Sequence, residues 1–376
     1  MNESNHKKHG SESRKNIGNF HHNEWAIMGS TCGEINKFFL QINEHLSKNH
    51  KVYYIDEDHS ISTNYLKIQN KKNILYKHPS EDLNSFDFKF LLNDADMVFI
   101  NGNHYQAQKQ IIIIDDRKKD SLLRKLDKIT DLDLVLLHPD KDKVYDFLQD
   151  KIKDTTKIID ITQTEKIVKY LKSKLQIPSI KALILAGGES RRMGTDKSQI
   201  NYHGKPQEQY LLELCEEQSI MAYLSKNSIQ DSNNHNQESI IVDRFNNFGP
   251  LSGILSAFAE YPDYAWLVMA CDLPHLDKTT IARLIKERNP SKYASCYQRP
   301  DNEFPEPLIT IYEPRSYQRI LNFLSLGYSC PRKFLINSDV KIINLKDGLT
   351  VKNANTPEEM TAAKDFINNQ LDKNRS

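Results

Sequence analysis

The chain has 376 residues, with 51 Lys and Arg against 50 Asp and Glu and a formal net charge of +1. That balance excludes bulk binding to a polyanion and leaves only a local basic patch for such a role. No run of about 18 apolar residues is present to span a bilayer, and Met1 to Glu24 lack the apolar stretch of a secretory signal. A cytoplasmic chain of two to three domains is expected, at roughly 150 residues per domain. The five cysteines, at positions 32, 215, 271, 296 and 330, are odd in number and have no metal-clip spacing. Free thiols in a reducing compartment fit better than a zinc ribbon or a disulfide framework.

Residues 1–23 are polar and aperiodic, with four histidines and four basic residues, and read as a disordered tail. From Glu24 short apolar runs alternate with helical stretches. Trp25 to Met28 and Val52 to Ile55 predict strands, as do Asn73 to Tyr76, Met97 to Ile100, Ile111 to Ile114, Leu134 to Leu137 and Lys157 to Ile161. Phe38, Phe39, Ile42 and Leu46 recur at helical spacing, and 119–129 and 163–175 also read as helices. Continuous apolar strands alternating with helices predict a mostly parallel, covered sheet over 24–176.

Pro178 marks a boundary, after which the alternation restarts. Strands are predicted at 181–186, 220–225, 239–243 and 264–270, and helices at 207–217, 251–260 and 278–288. The stretch 292–345 reads as irregular, with one strand at Leu308 to Tyr312 and one helix at 315–326. Thr356, Pro357 and Glu359 predict the cap, first residue and capping-box partner of a last helix. Residues 369–376 read as a tail.

The segment 181–198 carries the chemistry. A buried strand ends at Ala186, and Gly187 and Gly188 let the backbone approach a ligand with its N–H groups free. Arg191, Arg192 and Lys197 add positive charge, so the loop suits phosphate. It is neither a Walker loop nor Gly-x-Gly-x-x-Gly, because its lysine stands ten residues after Gly187. Asp272 ends a second apolar strand, where a carboxylate facing a phosphate loop is placed to hold Mg²⁺. A plain turn or helix cap is the alternative there. Asp243 ends a third strand, Asn227 follows a fourth, and Gly249-Pro250 precede a helix start that can meet an anion. For these the alternatives are a turn residue, a surface asparagine and an ordinary proline-started helix.

The string Leu185-Ala186-Gly187-Gly188, Arg192-Met193-Gly194, Asp196-Lys197 resembles the signature of the MobA-like nucleotidyltransferases. Gly249-Pro250-Leu251-Ser252-Gly253, Cys271-Asp272-Leu273-Pro274 and Asn355-Thr356-Pro357-Glu358-Glu359 follow in the family's order, so the resemblance covers about 181–368. It implies a Rossmann-like nucleotidyltransferase domain, and within the family it is strongest to the molybdenum cofactor guanylyltransferases. The implied reaction is transfer of GMP from GTP to the terminal phosphate of molybdenum-molybdopterin, with Mg²⁺ as cofactor. Arg192, Lys197 and Asp272 are then catalytic, and Asp272 is the metal ligand. Leu185, Ala186, Gly187, Gly188, Lys197, Asn227, Asp243 and Asp272 bind the nucleotide, while Gly249 and Pro250 face the substrate. Asp196 is placed to orient Lys197. Molybdoenzymes or cofactor-insertion proteins are the implied partners, with neither nucleic acid nor membrane. A CTP- or UTP-using transferase and a non-catalytic cofactor carrier are the alternatives. The polar stretch 228–237 has no counterpart in the family pattern, and Arg332 and Lys333 are basic candidates for the acceptor, with an exposed basic turn as the default reading.

Gly29-Ser30-Thr31-Cys32-Gly33-Glu34-Ile35-Asn36 stands where a P-loop would, between a strand and a helix, and resembles a degenerate loop of the MobB type. It lacks the lysine, and Glu34 would repel phosphate, so hydrolysis of a nucleoside triphosphate is not expected there. An accessory or pterin-binding domain and a purely structural one stay open. Asp56-Glu57-Asp58-His59 and Asn101-Gly102-Asn103-His104 each follow a strand, and read as polar turns or as a metal or phosphate site.

Overall fold

Strand–helix alternation builds two separate α/β units, Met1–Gln176 and Ile177–Ser376, in a computed structural model of the chain. The structure describes residues 21–58, 65–70, 74–77, 85–186, 197–227 and 239–373.

The first unit contains β1 (Glu24–Met28), α1 (Cys32–Leu46), β2 (Val52–Asp58), β3 (Tyr65–Gln69), β4 (Ile74–Lys77) and α2 (Ser85–Leu91). β5 (Met97–Asn101), β6 (Lys109–Ile113), α3 (Lys119–Leu123), β7 (Leu132–Leu137), β8 (Lys157–Asp160) and α4 (Thr164–Ser173) complete it. Its eight strands pair in the order β4-β3-β2-β5-β1-β6-β7-β8. Every pairing from β2 to β8 is parallel. β1 and β5 are buried along their whole length, as expected of strands covered on both faces. α1 covers one face with Ile35, Phe38, Phe39, Ile42 and Leu46, all buried at three- and four-residue spacing.

Two features depart from the sequence reading. β3 was not expected, and it pairs antiparallel with both β2 and β4, so one edge of this sheet is a meander. The helix expected over 119–129 is broken into α3 and a 3₁₀ turn at Leu126–Lys128, and another 3₁₀ turn, Asp116–Lys118, precedes α3. Leu122 is the one buried residue of α3, so packing gives a longer helix little to offset its ordering cost.

The second unit contains β9 (Ile180–Leu185), α5 (Gln207–Glu217), β10 (Ala222–Lys226), β11 (Ile240–Val242), α6 (Pro250–Glu260), β12 (Ala265–Ala270) and α7 (Lys278–Lys286). β13 (Ala294–Gln298), β14 (Pro305–Tyr312), α8 (Ser316–Ser325), α9 (Pro331–Ile336), β15 (Lys341–Asn344) and α10 (Pro357–Lys373) follow. The sheet order is β11-β10-β9-β12-β14-β13-β15. β11, β10, β9 and β12 run parallel, whereas β14 is antiparallel to both of its neighbours. The stretch 292–345 is therefore ordered, not irregular. β13 leads to β14 without a crossover helix, and a register shift falls between Cys296 and Gln298. Both features interrupt the strand–helix alternation that marks the rest of the sequence.

Two close contacts fix the elements that carry the site. α6 starts at Pro250 after Gly249, whose φ is +56°, and it lies so near β10 that a Cβ on Gly253 would meet Ser225 Oγ at 2.3 Å and Leu185 Cδ2 at 2.8 Å. Lys226, at the end of β10, is buried and pairs with buried Glu208 of α5 at 2.8 Å. Glu208 also accepts from Gln199 Nε2 at 2.7 Å.

Gly253→Ala should destabilise the chain by about 1–3 kcal/mol, because Leu185 and Ser225, whose hydroxyl is held by Asp243, must both shift; urea unfolding midpoints of the two proteins test this. Lys226→Met should cost about 3–5 kcal/mol by removing the ammonium that balances the buried Glu208 charge, and Lys226→Met with Glu208→Leu should recover most of it. Additive losses in that double-mutant cycle would contradict the pairing.

Candidate active site

Parallel strands deliver their carboxyl ends to one edge of a sheet, and ligands bind beyond that edge. In the second unit β9, β10, β11 and β12 share this edge. β9 is followed by Ala186, whose N–H donates to Ser225 O at 3.2 Å. Gly187, Gly188, Arg191, Arg192 and Asp196 fall outside the described residues, as does the polar stretch 228–237. The chain resumes at Lys197, in a 3₁₀ turn over Lys197–Gln199.

Lys197 joins two distant segments. Its Nζ donates to Asn355 Oδ1 at 2.8 Å and lies 3.4 Å from Asp272 Oδ2. Asp272 stands two residues past β12, and its backbone oxygen accepts from Ala354 N at 2.9 Å. The start of α10 holds Asn355 in place. Asn355 N and Thr356 N donate to Glu359 Oε2 at 2.7 and 3.2 Å, and Glu359 N donates back to Thr356 Oγ1 at 3.3 Å. This is the capping box expected from the sequence.

The second carboxylate oxygen of Asp272, Oδ1, is buried and has no hydrogen-bond partner among the described residues. An unpaired carboxylate oxygen out of water is costly, and a hard cation is the ligand that best satisfies it. Asp272 fits a metal role on that ground. Burial, and then the negative charge of Asp272, push the Tyr202 hydroxyl up to about 12, so it stays a neutral neighbour.

Asp243 follows β11. Its Oδ1 accepts from Ser225 Oγ at 2.7 Å, and its N–H donates to Lys226 O at 2.9 Å. Burial raises its pKa and the Ser225 hydrogen bond partly opposes that. Asn227 is exposed just beyond β10, and Gly249 and Pro250 are exposed at the start of α6. Leu185, Ala186, Asn227 and Asp243 therefore gather at the ends of β9, β10 and β11, while Lys197 and Asp272 meet beside β12.

Continuing the β12–β14 register sets Glu306 opposite Asp272. Buried Glu306 accepts from Arg299 Nε at 2.9 Å and lies 3.5 Å from Arg332 Nη2. Arg332 is thus tied to the same sheet edge rather than standing on an isolated basic turn, and its Nε is buried without a partner among the described residues.

Sequence reasoning missed three features. Asn355 was read only as part of a motif, but it is a direct partner of Lys197, the contact for which Asp196 was the expected residue. The Lys226–Glu208 pair was missed, although a lysine closing an apolar strand is a legible signal of a buried charge. Glu306 was missed because β14 was not read from its start.

In the first unit, Asp56, Glu57 and His104 come together at the carboxyl ends of β2 and β5. His59 is outside the described residues. Asp56, Glu57 and Asp58 lie within β2, paired with β3, rather than in a turn after the strand, and Asn101 is the last residue of β5. Among the described residues no group of three or more His, Cys, Asp or Glu side chains is arranged to hold a metal ion, so the metal reading of these two segments is not supported. Among the described residues no helix is long and apolar enough to cross a membrane.

The pattern of the MobA-like NTP transferase domain matches residues 182–340, a span that includes Lys197, Asp243 and Asp272. A molybdenum cofactor biosynthesis bifunctional protein of Synechocystis sp. is 36% identical over 178 residues, covering 47% of this chain and 51% of that protein. The chain thus spans about half the length of this relative. A molybdenum cofactor guanylyltransferase of Shewanella amazonensis is 27% identical over 184 residues, covering 48% of this chain and 93% of that protein. A probable molybdenum cofactor guanylyltransferase of Pyrococcus horikoshii is 33% identical over 147 residues, covering 37% of this chain and 72% of that protein. Among solved structures, molybdopterin-guanine dinucleotide biosynthesis protein A of Archaeoglobus fulgidus matches with a TM-score of 0.44 and 21% identity, over 50% of this chain and 99% of that one. The match to the domain pattern and the extent of identity with the Pyrococcus protein place the chain in one family: it belongs to the MobA-like NTP transferases.

Proposed function

We propose that the second unit transfers GMP from GTP to the terminal phosphate of molybdenum-molybdopterin, releasing pyrophosphate and forming the guanine dinucleotide of the cofactor. The observation that carries this reading is the meeting of Lys197, Asp272 and Asn355 at the carboxyl edge of the sheet. An oxygen of the acceptor phosphate attacks the α-phosphorus of GTP, a new P–O bond forms, and the bond to the pyrophosphate oxygen breaks. The acceptor oxygen is already anionic at neutral pH, so the site needs no strong base; it needs position and charge neutralisation. Lys197 supplies a positive charge to the triphosphate, with Asn355 fixing its direction, and Gly187, Gly188 and Arg192 add backbone and guanidinium donors from the loop before it. Asp272 would hold Mg²⁺ through its unpartnered oxygen, and that ion when bound would neutralise phosphate charge. Asp243 and Asn227 contact the nucleotide, and Gly249-Pro250 face the substrate. Arg332 offers its unpartnered Nε to the phosphate of the acceptor. The choice of GTP over CTP or UTP rests on the names of the relatives. Partners at the next step are molybdoenzymes or the proteins that insert the cofactor.

Calorimetry with Mg²⁺ and a nucleotide panel is expected to show preference for GTP, weakened about tenfold or more in Lys197→Ala through loss of a charged hydrogen bond to phosphate. Asp272→Asn should lower guanylyl transfer about 10²-fold or more while circular dichroism stays unchanged. Preference for CTP or UTP would move the substrate class, and wild-type turnover in Asp272→Asn would remove that residue from the site.

A further inference from the structure

The first unit carries a second group of reactive side chains, unconnected with nucleotidyl transfer. β2, β5 and β1 are adjacent and parallel, so their carboxyl ends lie side by side. β2 carries Asp56 and Glu57 just before its last residue, Asp58, the turn after β5 presents His104, and the turn after β1 opens into α1 at Cys32. Cys32 Sγ lies 3.3 Å from His104 Nε2, and His104 Nδ1 lies 3.1 Å from Glu57 Oε2. A carboxylate on Nδ1 places the ring proton there and turns Nε2, as acceptor, toward the thiol. Asp56 Oδ1, 3.8 Å from Nε2, adds a second negative charge beside the ring. Nucleophile, base and orienting acid therefore stand in the order and at the distances that thiol catalysis requires.

The surroundings hold this arrangement. Asn101 Nδ2 donates to Asp56 Oδ1 at 2.8 Å, and Asn103 Nδ2 donates to Ser30 O at 3.0 Å. Gly102 N donates to Ile27 O at 2.9 Å, and a Cβ on Gly102 would strike Met28 Cγ at 2.2 Å, so the turn bearing His104 lies directly on the strand that leads to Cys32. Tyr54 donates to Asp56 at 3.1 Å, Tyr105 is hydrogen-bonded to Glu57, and Lys125 Nζ reaches Asn103 O at 3.3 Å. Cys32 is the first residue of a 15-residue helix, and it is partly exposed. A Cβ on the neighbouring Gly33 would meet no described residue within 4 Å. The negative charges of Glu34, Asp56 and Glu57 would repel a polyphosphate, so a neutral carbonyl electrophile suits the thiol better.

We propose that Cys32, His104 and Glu57 form a thiol site that accepts an acyl group from an activated ester or thioester. His104 Nε2 takes the thiol proton as Sγ bonds to the carbonyl carbon. The carbonyl electron pair moves to oxygen and returns as the bond to the leaving oxygen or sulfur breaks, and His104 gives that atom its proton. Water then attacks the Cys32 thioester, the carboxylic acid departs, and the thiol is restored.

The test uses the full chain, p-nitrophenyl acetate and iodoacetamide, with exposed Cys330 as the internal reference. One equivalent of nitrophenolate should appear in a burst, with the acetyl group found on Cys32 by peptide mass spectrometry. At pH 6.5 iodoacetamide should alkylate Cys32 at least ~10-fold faster than Cys330, and His104→Gln should remove that advantage, in line with the usual contribution of a general base. Glu57→Gln should give an intermediate rate and move the pH profile of alkylation. Equal rates for Cys32 and Cys330 in the unmodified protein from pH 5.5 to 8.5 would overturn the proposal whether or not the variants fold. Fast alkylation without acetylation would overturn the acyl class, and a fast Cys32 in His104→Gln would overturn the role of the imidazole.

Discussion

Both units obey one constraint: strands covered on both faces can carry polar chemistry only at their ends. β12 has no exposed residue from Ala265 to Ala270, and β1 and β5 are equally enclosed. A charged side chain inside such a strand would lose its water without a partner. The carboxylates, lysines and histidines with chemistry to offer therefore emerge beyond the carboxyl ends, and parallel pairing brings those ends side by side. Asp243, Lys197 and Asp272 gather in one unit, and Asp56, Glu57 and His104 in the other, for this same reason. The parallel strands alone do not complete the second edge. β14 runs the opposite way, so it brings the beginning of a strand, Glu306, to the place where its neighbour β12 brings an end.

Lys197 owes its position to parts of the chain far from it in sequence. Asn355 receives its ammonium 158 residues away, and Asn355 is itself held by the capping box of α10 and by the backbone bond from Ala354 to Asp272. A helix cap, whose usual contribution is about 1 kcal/mol of helix stability, here also fixes a side chain of the site. Asp272 is thereby engaged through its backbone oxygen and through one carboxylate oxygen, and the other carboxylate oxygen is buried without a partner among the described residues. A folded protein tolerates such an orphan where a ligand completes it.

Much of the architecture was legible because it rests on local pattern. The run from Ala265 to Ala270, the spacing of Phe38, Phe39, Ile42 and Leu46, and the Thr356–Glu359 box each appear in the structure where composition and periodicity predict them. The stretch 292–345 was not legible, because β13, β14 and β15 pair with one another and with β12 across long separations and no crossover helix separates β13 from β14. Strand pairing of that kind is a property of the whole sheet and leaves little trace in a short window. The broken helix at 119–129 failed for a related reason: helical propensity without a buried face does not sustain a long helix. At the site, residue types announced themselves but contacts did not. Asp272 and Lys197 were readable as a carboxylate and a cation suited to phosphate, whereas the Lys197–Asn355 bond and the burial of Glu208 against Lys226 arise only on folding.

The turn after β1 shows how strongly side chains decide what a shared framework can do. In both units a buried strand ends at the carboxyl edge of a mostly parallel sheet, the place that serves phosphate groups when glycine and lysine follow the strand. The second unit keeps that charge sign with Lys197. The first unit reverses it: Glu34 follows Gly33 where a lysine would be needed, and Asp56 and Glu57 close in from β2. Carboxylates that would repel a triphosphate are suited to holding an imidazole, because they stabilise its protonated form, and an imidazole so held acts on whatever acid lies against its other nitrogen. That acid is the thiol of Cys32. Loss of the lysine therefore removes one chemistry from the turn, and the carboxylates that replace its charge supply the electrostatic conditions for another.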